Sequence, residues 1–321
     1  MNDNQITAII PAYNAEKFLS QAIDSVLAQT RQVKRIIVVD DCSSDQTAEI
    51  AQRYSQVNYL KTPTNGGHAT ARNIAISEVD TELIGWLDAD DTWNTNHLEK
   101  VAGLLDEFKE AAVCCSPVNL FGSKTGIFKC LETNGSPINA LDDCYRQTCV
   151  PAMSAVTRTS AVREIGGFDT SYRVAPDYDF WLRMSLKFPF VSYPQPTANY
   201  RWHENQVSAQ SPGRMISIRQ LESFYRARHA FCSGTYPGTE DIDLENYREI
   251  FRKSHAIDIP SVRITYNKSD QELFWEFSKK HGPSPSKFQF QRNLIRRMPR
   301  VVAALYLKAM LLGRNYGVLR I

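Results

Sequence analysis

Short apolar runs alternate with amphipathic segments along the first 116 residues of the chain. Five apolar runs of strand length, rich in β-branched residues, predict β-strands over 7–11, 35–40, 57–60, 83–87 and 112–115. Between them, apolar residues recur at helical spacing and predict helices over 18–27, 45–54, 69–76 and 98–108. Asn14 is the predicted cap of the first helix. Strands that are apolar on both faces and alternate with helices imply an α/β fold, with a Rossmann-like, mainly parallel sheet covered by helices on both faces.

The pattern changes after residue 116, and again near residue 210. The segment 117–210 is less regular and predicts a turn at 166–169, a helix at 179–187 and strands at 190–193 and 198–202. The segment 211–321 contains helical runs at 217–231, 243–254 and 270–281. We therefore predict three parts, 1–116, 117–210 and 211–321, of which the last is a helical C-terminal extension.

The overall composition is that of an ordinary globular protein, with 43% hydrophobic and 22% charged residues. The seven cysteines include no C-x-x-C pair, which argues against zinc ribbons, thioredoxin-like sites and a disulfide scaffold. The N-terminus has no basic segment followed by an apolar one, so we expect reduced thiols and a cytoplasmic protein. No run of about 18 apolar residues occurs, and we predict no membrane-spanning helix.

The net charge of +2 is unevenly distributed along the chain. The segment 287–321 contains eight basic residues and no acidic one, and its part 301–312 is mostly apolar. Because the rest of the chain is net acidic, the distribution argues against nucleic-acid binding. Two readings of this basic tail stay open. It lies on an anionic membrane surface, peripherally on the inner face of the cell membrane, or it packs on the rest of the protein with its basic face in water.

Acidic residues follow the apolar run 83–87. Asp88 and Asp90 are two residues apart, and such residues of an extended segment point to the same side. Two carboxylates on one face repel each other unless a cation lies between them, and oxygen ligands suit Mg²⁺ or Mn²⁺, which also hold phosphates. The alternative is a solvated acidic turn that caps the following helix.

A second acidic pair, Asp40 and Asp41, follows the second predicted strand. A carboxylate only accepts hydrogen bonds, so a base that it reads must present an N–H, as uracil, thymine and guanine do and cytosine does not. The pair therefore favours a UDP, dTDP or GDP ligand over CMP. A simpler role also exists at this strand end, because Ser43, Ser44 or Asp45 can cap the next helix.

Two further positions are candidates for nucleotide contacts. Tyr13 follows the first predicted strand and either stacks on a flat base or is an ordinary half-buried aromatic residue. Gly66 and Gly67 open a predicted helix and permit close approach of the backbone to a ligand. Arg72, in that helix, can meet a base or a phosphate.

Together these motifs resemble the inverting family 2 glycosyltransferases, which have the GT-A fold. Those in the first half of the chain are Thr7-Ala-Ile-Ile-Pro-Ala-Tyr-Asn14, Val38-Val-Asp-Asp-Cys-Ser-Ser-Asp45, Asn65-Gly-Gly67, Ala71-Arg-Asn73 and Asp88-Ala-Asp-Asp91. Those in the second half are Gly166-Gly-Phe-Asp169, Asp177-Tyr-Asp-Phe-Trp-Leu-Arg183 and Tyr200-Arg-Trp-His203. The resemblance covers roughly residues 5–210. It implies that 1–116 bind a nucleotide-sugar and that 117–210 bind the acceptor.

The resemblance implies a donor site at the strand ends. Tyr13 is expected to stack on the base, Asp40 or Asp41 to accept hydrogen bonds from it, and Arg72 to close that pocket. Asp88 is expected near the ribose or the sugar. Further donor-binding residues are expected at Pro11, Asn14, Gly67 and Arg201.

The resemblance also implies a metal site and a catalytic base. Asp90 is expected to bind Mn²⁺ or Mg²⁺ on the diphosphate, and His203 either completes that metal shell or is a surface histidine. Arg201 is expected to neutralise the diphosphate. Asp177 matches the base that takes a proton from the acceptor hydroxyl, and Asp179 is the alternative.

Two departures from the family pattern bear on these expectations. The family often has Gly where Cys42 stands, so the turn after Asp41 is expected to differ slightly. It usually has Glu directly before the base, where this chain has Pro176. Because Pro has no side-chain group for proton transfer, this substitution is what keeps Asp179 open as the base.

The resulting expectation is a metal-dependent, inverting, non-processive glycosyltransferase. It moves one sugar from a nucleotide-diphosphate sugar to a hydroxyl of a glycan or lipid-linked acceptor, as in bacterial surface polysaccharide synthesis. The Q-x-x-R-W pattern of processive polymerases is missing, because Ala198 stands three residues before Arg201. A sugar-phosphate nucleotidyltransferase is disfavoured, since the N-terminal motif lacks a Gly-rich phosphate loop with Arg. The open alternative is a catalytically silent member that binds nucleotide-sugar within a polysaccharide assembly complex.

Overall fold

The computed structural model describes residues 5–172, 175–203, 223–224, 227–228, 230–232 and 234–249. The strands are β1 Ile6–Ala12, β2 Arg35–Asp40, β3 Val57–Lys61, β4 Leu83–Trp86, β5 Thr92–Trp93, β6 Val113–Cys115, β7 Val118–Gly122, β8 Gly126–Phe128, β9 Val156–Arg158, β10 Phe190–Ser192 and β11 Ala198–Trp202. The helices are α1 Leu19–Leu27, α2 Thr47–Gln52, α3 His68–Glu78, α4 His97–Glu107, α5 Leu141–Arg146, α6 Thr159–Glu164 and α7 Pro176–Lys187. The chain divides into two compact units, Met1–His203 and Glu204–Ile321.

Two sheets organise the first unit. The larger has seven strands in the order β10-β6-β9-β4-β1-β2-β3. Its pairs are parallel except that β9 runs antiparallel to both β4 and β6. The smaller has four strands in the order β5-β11-β7-β8. The prediction of a mainly parallel sheet is therefore confirmed, and the antiparallel strand β9 makes the sheet mixed.

The central strands are buried because they carry apolar side chains on both faces. All seven positions of β1 are buried, as are five of the six positions of β2. Helix α1 covers this sheet with Leu19, Ala22, Ile23 and Val26, whose spacing of three and four residues forms one apolar face. The strands and helices predicted within 1–116 all form, with ends within two residues of the predicted ones.

Two local predictions are corrected, and two strands were not predicted. Asn14 does not cap α1, which begins five residues later; its φ of 48° is left-handed, and its side-chain oxygen accepts the Ser44 amide at 3.0 Å. Helix α7 begins at Pro176, three residues before its predicted start, because proline fits the first position of a helix. Strands β7 and β8 were not predicted, since their positions are mostly half-buried or exposed and give no apolar run.

The C-terminal extension is described only in part. The backbone is helical at 223–224, 227–228, 230–232 and 244–249, in and beside the predicted runs 217–231 and 243–254. The predicted helix at 270–281 and the basic tail 287–321 lie outside the described residues. Within the described part of the chain, every helix is too short or too polar to cross a bilayer.

Candidate active site

The carboxyl ends of β4, β1 and β2 meet at one edge of the large sheet, because these three strands are parallel neighbours. In such sheets ligands bind at this edge. Tyr13 follows β1, Asp40 ends β2 and Asp41 follows it, and Asp88 lies two residues after β4. Tyr13 is 51% exposed, so its ring is available for stacking. The fold therefore assembles the predicted donor residues at a single edge.

Asp40, the last residue of β2, is fully buried and held by protein donors. Its carboxylate accepts the Ser43 amide at 2.8 Å and the Tyr59 hydroxyl at 2.7 Å. Lys61 Nζ lies 3.9 Å from the same carboxylate. Burial and the hydrogen bond to Asp40 raise the pKa of Tyr59. Asp40 thus stabilises the turn after β2 through its buried carboxylate.

Asp41 is also buried, and it organises the loop that leads into α3. It accepts the Thr62 hydroxyl at 2.9 Å and the Gly66 and Gly67 amides at 2.9 and 2.7 Å. Gly67 precedes α3 with φ 84°, a conformation that favours glycine. Three of the roughly four acceptor positions of the carboxylate are occupied, and one on Oδ2 remains.

The β1 and β2 loops are joined by reciprocal hydrogen bonds. The Asn14 amide donates to Ser43 Oγ at 2.9 Å, opposite in direction to the bond from the Ser44 amide to Asn14. Pro11 lies within β1, opposite Val39. Cys42 has φ 63°, a left-handed conformation that explains why a glycine suits this position. The departure from the family pattern therefore changes the side chain of a left-handed turn residue.

Asp88 is paired with Arg72 of α3. Arg72 Nη2 lies 2.6 Å from Asp88 Oδ1, and Arg72 is almost fully buried. The guanidinium also lies over the Phe168 ring, 5.3 Å from its centroid. The pair joins the helix after Gly67 to the end of β4, so that one charged cluster links two of the predicted motifs.

Asp90 faces His203, which follows β11. His203 Nε2 lies 3.0 Å from Asp90 Oδ2. Burial raises the pKa of Asp90, and the negative charge of Asp88 raises it further. A carboxylate oxygen and an imidazole nitrogen at this separation are a donor pair that Mn²⁺ accepts. Among the described residues, no group of three or more His, Cys, Asp or Glu side chains is arranged to hold a metal ion.

Asp91 points away from this pair into the protein. It is buried, and Oδ1 accepts the Arg201 amide at 2.7 Å. Within the described part of the chain, Oδ2 has no hydrogen-bond partner. Burial raises the pKa of Asp91 well above its usual range, and the charges of Asp90 and Asp88 add to this effect. Asp91 thereby fixes the acidic turn to β11.

Arg201 supports the same turn with its side chain. Nε donates to the Asp90 carbonyl at 2.8 Å, and Nη2 donates to Gln21 Oε1 at 2.6 Å. The guanidinium lies over the rings of Phe18 and Phe121, 4.6 and 4.3 Å from their centroids. Burial lowers the pKa of Arg201. Its positive charge therefore lies next to the backbone of Asp90.

The two candidate bases differ in their partners. Asp179 is buried, and it accepts Arg183 Nε and Nη2 at 2.9 and 2.7 Å. Asp177 lies in the first turn of α7, after Pro176 and after Ala175, whose φ of 50° is left-handed. The ion pair with Arg183 leaves Asp179 poorly suited to receive a proton from a ligand.

Asp177 shares its electrostatic environment with the donor residues. Burial raises the pKa of Asp177, the positive charge of Arg72 lowers it, and the negative charge of Asp88 raises it. Asp177 is therefore electrostatically coupled to the Arg72–Asp88 pair, although Asp88 and Asp177 are far apart in sequence.

His68, the first residue of α3, has no role predicted from the sequence. Its side chain is exposed, yet the surrounding protein desolvates the imidazole and lowers its pKa. The charge of Arg72 lowers this pKa further, whereas Asp88, Asp90 and Asp41 raise it. His68 is therefore electrostatically coupled to acidic residues of both strand ends. The only sequence signal was its position directly after two glycines.

Asn73 links α3 to the motif before α7. Its side chain donates to the Phe168 carbonyl at 2.7 Å and accepts the Phe168 amide at 2.8 Å. The Phe168 ring stacks on Phe180 of α7, with centroids 4.0 Å apart. Gly167 has φ 71°, and a Cβ there would lie 2.7 Å from Asn73 Oδ1. Two motifs 95 residues apart therefore form one structural joint between the donor side and α7.

The comparisons with known proteins agree with this arrangement. Residues 7–166 match the family model described as Glycosyl transferase family 2. AmsB of Erwinia amylovora, an amylovoran biosynthesis glycosyltransferase, is 31% identical over 215 residues, which are 62% of this chain and 70% of AmsB. TuaG of Bacillus subtilis, named for teichuronic acid biosynthesis, is 28% identical over 252 residues, which are 72% of this chain and 94% of TuaG.

Solved structures show the fold. S. aureus TarS 1–349 in complex with UDP-GlcNAc aligns with a TM-score of 0.64 at 19% identity, over 97% of this chain and 89% of that one. The mannosyltransferase PcManGT of Pyrobaculum calidifontis, in complex with GDP-Man and Mn²⁺, aligns with a TM-score of 0.58 at 16% identity, over 98% and 88%. With its strand-end carboxylates gathered at one sheet edge, the chain has the GT-A fold and belongs to glycosyltransferase family 2.

Proposed function

We propose that this chain is a metal-dependent, inverting, non-processive glycosyltransferase. It transfers one sugar from a nucleotide-diphosphate sugar, with UDP favoured, to a hydroxyl of a glycan or lipid-linked acceptor in bacterial surface polysaccharide synthesis. The observation that carries the proposal is that the Arg72–Asp88 and Asp90–His203 pairs form around the acidic turn after β4. Asp177 is electrostatically coupled to the first of these pairs. AmsB and TuaG, both named for polysaccharide biosynthesis, support the acceptor class.

The proposed donor pocket lies at the ends of β1 and β2. Tyr13 stacks on the base with its exposed ring, and the remaining acceptor position of Asp41 takes an N–H of uracil. Asp40 holds the turn in place for this contact, because its own carboxylate is occupied by Ser43 and Tyr59. The backbone completes the pocket at Pro11, Asn14 and Gly67.

The sugar and the diphosphate lie at the ends of β4 and β11. Asp88, oriented by Arg72, accepts hydrogen bonds from the ribose or the sugar. Asp90 and His203 fit a divalent cation, Mn²⁺ or Mg²⁺, and their oxygen and nitrogen donors leave further coordination positions for the diphosphate. When bound, the cation neutralises charge on the departing diphosphate. Arg201, which is hydrogen-bonded to the Asp90 carbonyl, adds positive charge next to this site.

Asp177 is the proposed general base. One oxygen of its carboxylate takes the proton of the acceptor hydroxyl while the acceptor oxygen bonds to the anomeric carbon. The bond from that carbon to the diphosphate oxygen breaks in the same displacement, so the configuration inverts. Desolvation strengthens Asp177 as a base, because it raises the pKa of the carboxyl. Pro176 does not interfere, since it only begins the helix.

The test combines binding and turnover. Calorimetric titration of UDP with and without Mn²⁺ measures donor binding, and hydrolysis of a panel of nucleotide-sugars measures turnover. Asp177→Asn is expected to lower turnover about 10²- to 10⁴-fold while leaving UDP affinity nearly unchanged. The matched control is Asp179→Asn, which retains an acceptor for Arg183 and is expected to keep most of its turnover. Turnover of a nucleotide-sugar by the Asp177 variant at the wild-type rate would show that the base lies elsewhere. Tight UDP binding by the wild type without turnover of any donor would favour the catalytically silent alternative.

A further inference from the structure

The small sheet ends in an exposed hairpin tip. Every residue from 122 to 129 is exposed, and we call this segment the β7–β8 tip. Among the described residues, the large hydrophobic side chains that are exposed are Tyr13, Ile127 and Phe128. Ile127 is 60% and Phe128 41% exposed. Tyr13 belongs to the proposed donor pocket, so Ile127 and Phe128 are the two that the proposed function does not use.

The geometry of β8 leaves both of its faces uncovered. Among the described strands, β8 is hydrogen-bonded to β7 alone and forms the outer edge of the sheet. Ile127 lies opposite Asn119, and Phe128 lies opposite Val118. Because successive side chains of a strand point to opposite faces, each face of β8 carries one exposed apolar side chain. Exposed apolar side chains on both faces of an edge strand are available for contact with a partner.

The charges around these side chains indicate the chemistry of the partner. Lys124 and Lys129 are exposed, and 122–129 contain no acidic residue. Lys124 Nζ lies 3.6 Å from the Trp202 ring centroid, and Lys129 has one exposed ion pair, 4.0 Å from Glu132. Apolar side chains flanked by lysines are the combination that inserts into the interface of an anionic bilayer. We propose that the β7–β8 tip docks on an anionic lipid surface.

Pairing with a second copy of the chain is less suited to this edge. The strand β8 spans three residues, which offers few backbone hydrogen bonds to another strand. A symmetric pair of tips would also bring the same two lysines of each copy together, and lysines at a sheet edge oppose such pairing. The same charges attract anionic headgroups. The lysines therefore favour the lipid surface over self-association.

The position of the tip gives the docking a function, and this step rests on the proposed function. Trp202 lies opposite Gly122 in the β7–β11 register, and the Ser123 amide donates to the Trp202 carbonyl at 2.9 Å. The next residue is His203, which faces Asp90 at 3.0 Å. A tip held in the headgroup region thus keeps the proposed metal site beside the bilayer. A lipid-linked acceptor is then presented to the site without leaving the membrane.

Vesicle binding by the full chain tests the docking. The probes are vesicles of phosphatidylcholine alone and vesicles with about one third phosphatidylglycerol. Ile127→Ser with Phe128→Ser is expected to lower partition into anionic vesicles at least about tenfold. Lys124→Gln with Lys129→Gln is expected to lower it about 10- to 30-fold. The matched control changes two other exposed lysines that have single ion pairs, Lys109→Gln with Lys187→Gln, and is expected to partition like the wild type.

A local probe separates the tip from the basic tail. Phe128→Trp is expected to add fluorescence that brominated lipids quench in anionic vesicles, whereas the fluorescence added by Lys109→Trp is expected to stay unquenched. Equal partition of wild type and tip variants, together with unquenched added fluorescence in the Phe128→Trp variant, would overturn the docking. Concentration-dependent dimers that Ile127→Ser abolishes, without vesicle binding, would replace it with edge pairing. Hydrolysis of donor without vesicles tests the proposed function separately, and the tip variants are expected to retain it.

Discussion

Removing the hydrogen bonds between Asn73 and Phe168 is expected to cause a large and specific loss of stability. Asn73→Ala removes a side chain that both donates to and accepts from the Phe168 backbone, at 2.7 and 2.8 Å. Phe168 is 5% exposed, so water cannot readily replace either hydrogen bond. A buried backbone group left without a partner costs about 1–3 kcal/mol. For two such groups, with some relaxation of the loop, we expect a loss of about 2–4 kcal/mol.

Thermal unfolding of the full chain measures this loss. For a unit of roughly 200 residues, each kcal/mol lowers Tm by about 2–4 °C, so Asn73→Ala is expected to lower Tm by about 4–16 °C. Asn73→Asp keeps the acceptor but places a carboxylate oxygen against the Phe168 carbonyl, and it is expected to lower Tm as well.

The matched control is Ser77→Ala, on an exposed position of the same helix. It removes a local hydrogen bond to Ile74 and is expected to leave Tm nearly unchanged. If Asn73→Ala and Ser77→Ala unfolded at the same temperature, the joint between α3 and the segment before α7 would contribute nothing to stability.

Two further predictions concern backbone strain and pH. Cys42→Gly is expected to stabilise the protein by about 0.5–1 kcal/mol relative to Cys42→Ala, because a Cβ at φ 63° is strained; equal melting of the two variants would refute this. His97 is fully buried, and burial lowers its pKa to about 3, below the value of about 6.5 in an unfolded chain. The unfolded state therefore binds more protons below about pH 6.5, and stability falls as the pH is lowered. Denaturant titration at about pH 7.5 and about pH 5 is expected to show a loss about 2 kcal/mol larger for the wild type than for His97→Gln, and parallel losses would contradict it.

The first half of the fold could be predicted because buried strands of a parallel sheet must be apolar at every position. Arg35–Asp40 is such a run, and its terminal carboxylate marks the ligand edge. The second half gave weaker signals. In the edge strand β8, Gly126–Phe128, every position is exposed, so the strand lacks the alternation of buried and exposed positions that would predict it.

The roles of the residues in the candidate site were likewise only partly predictable from the sequence. The sequence indicated which residue types cluster, and the resemblance implied their order, but their partners were not visible. Asp40 accepts from Tyr59, which comes from the neighbouring strand. His68 gave no signal of its own beyond the glycines that precede it. Contacts of this kind form across the sheet and between helices, where local spacing carries no information.

Local sequence patterns established the alternation of strands and helices and the strand ends that carry carboxylates. The family resemblance implied Asp177 as the base and left Asp179 as the alternative. The structure adds support for Asp177, because it pairs the buried Asp179 with Arg183 and couples Asp177 electrostatically to the Arg72–Asp88 pair. It also decided that Asn73 and Phe168 form one joint across 95 residues. The physical reason is that local patterns record which positions are buried, whereas the pairing of buried polar groups depends on how distant segments pack.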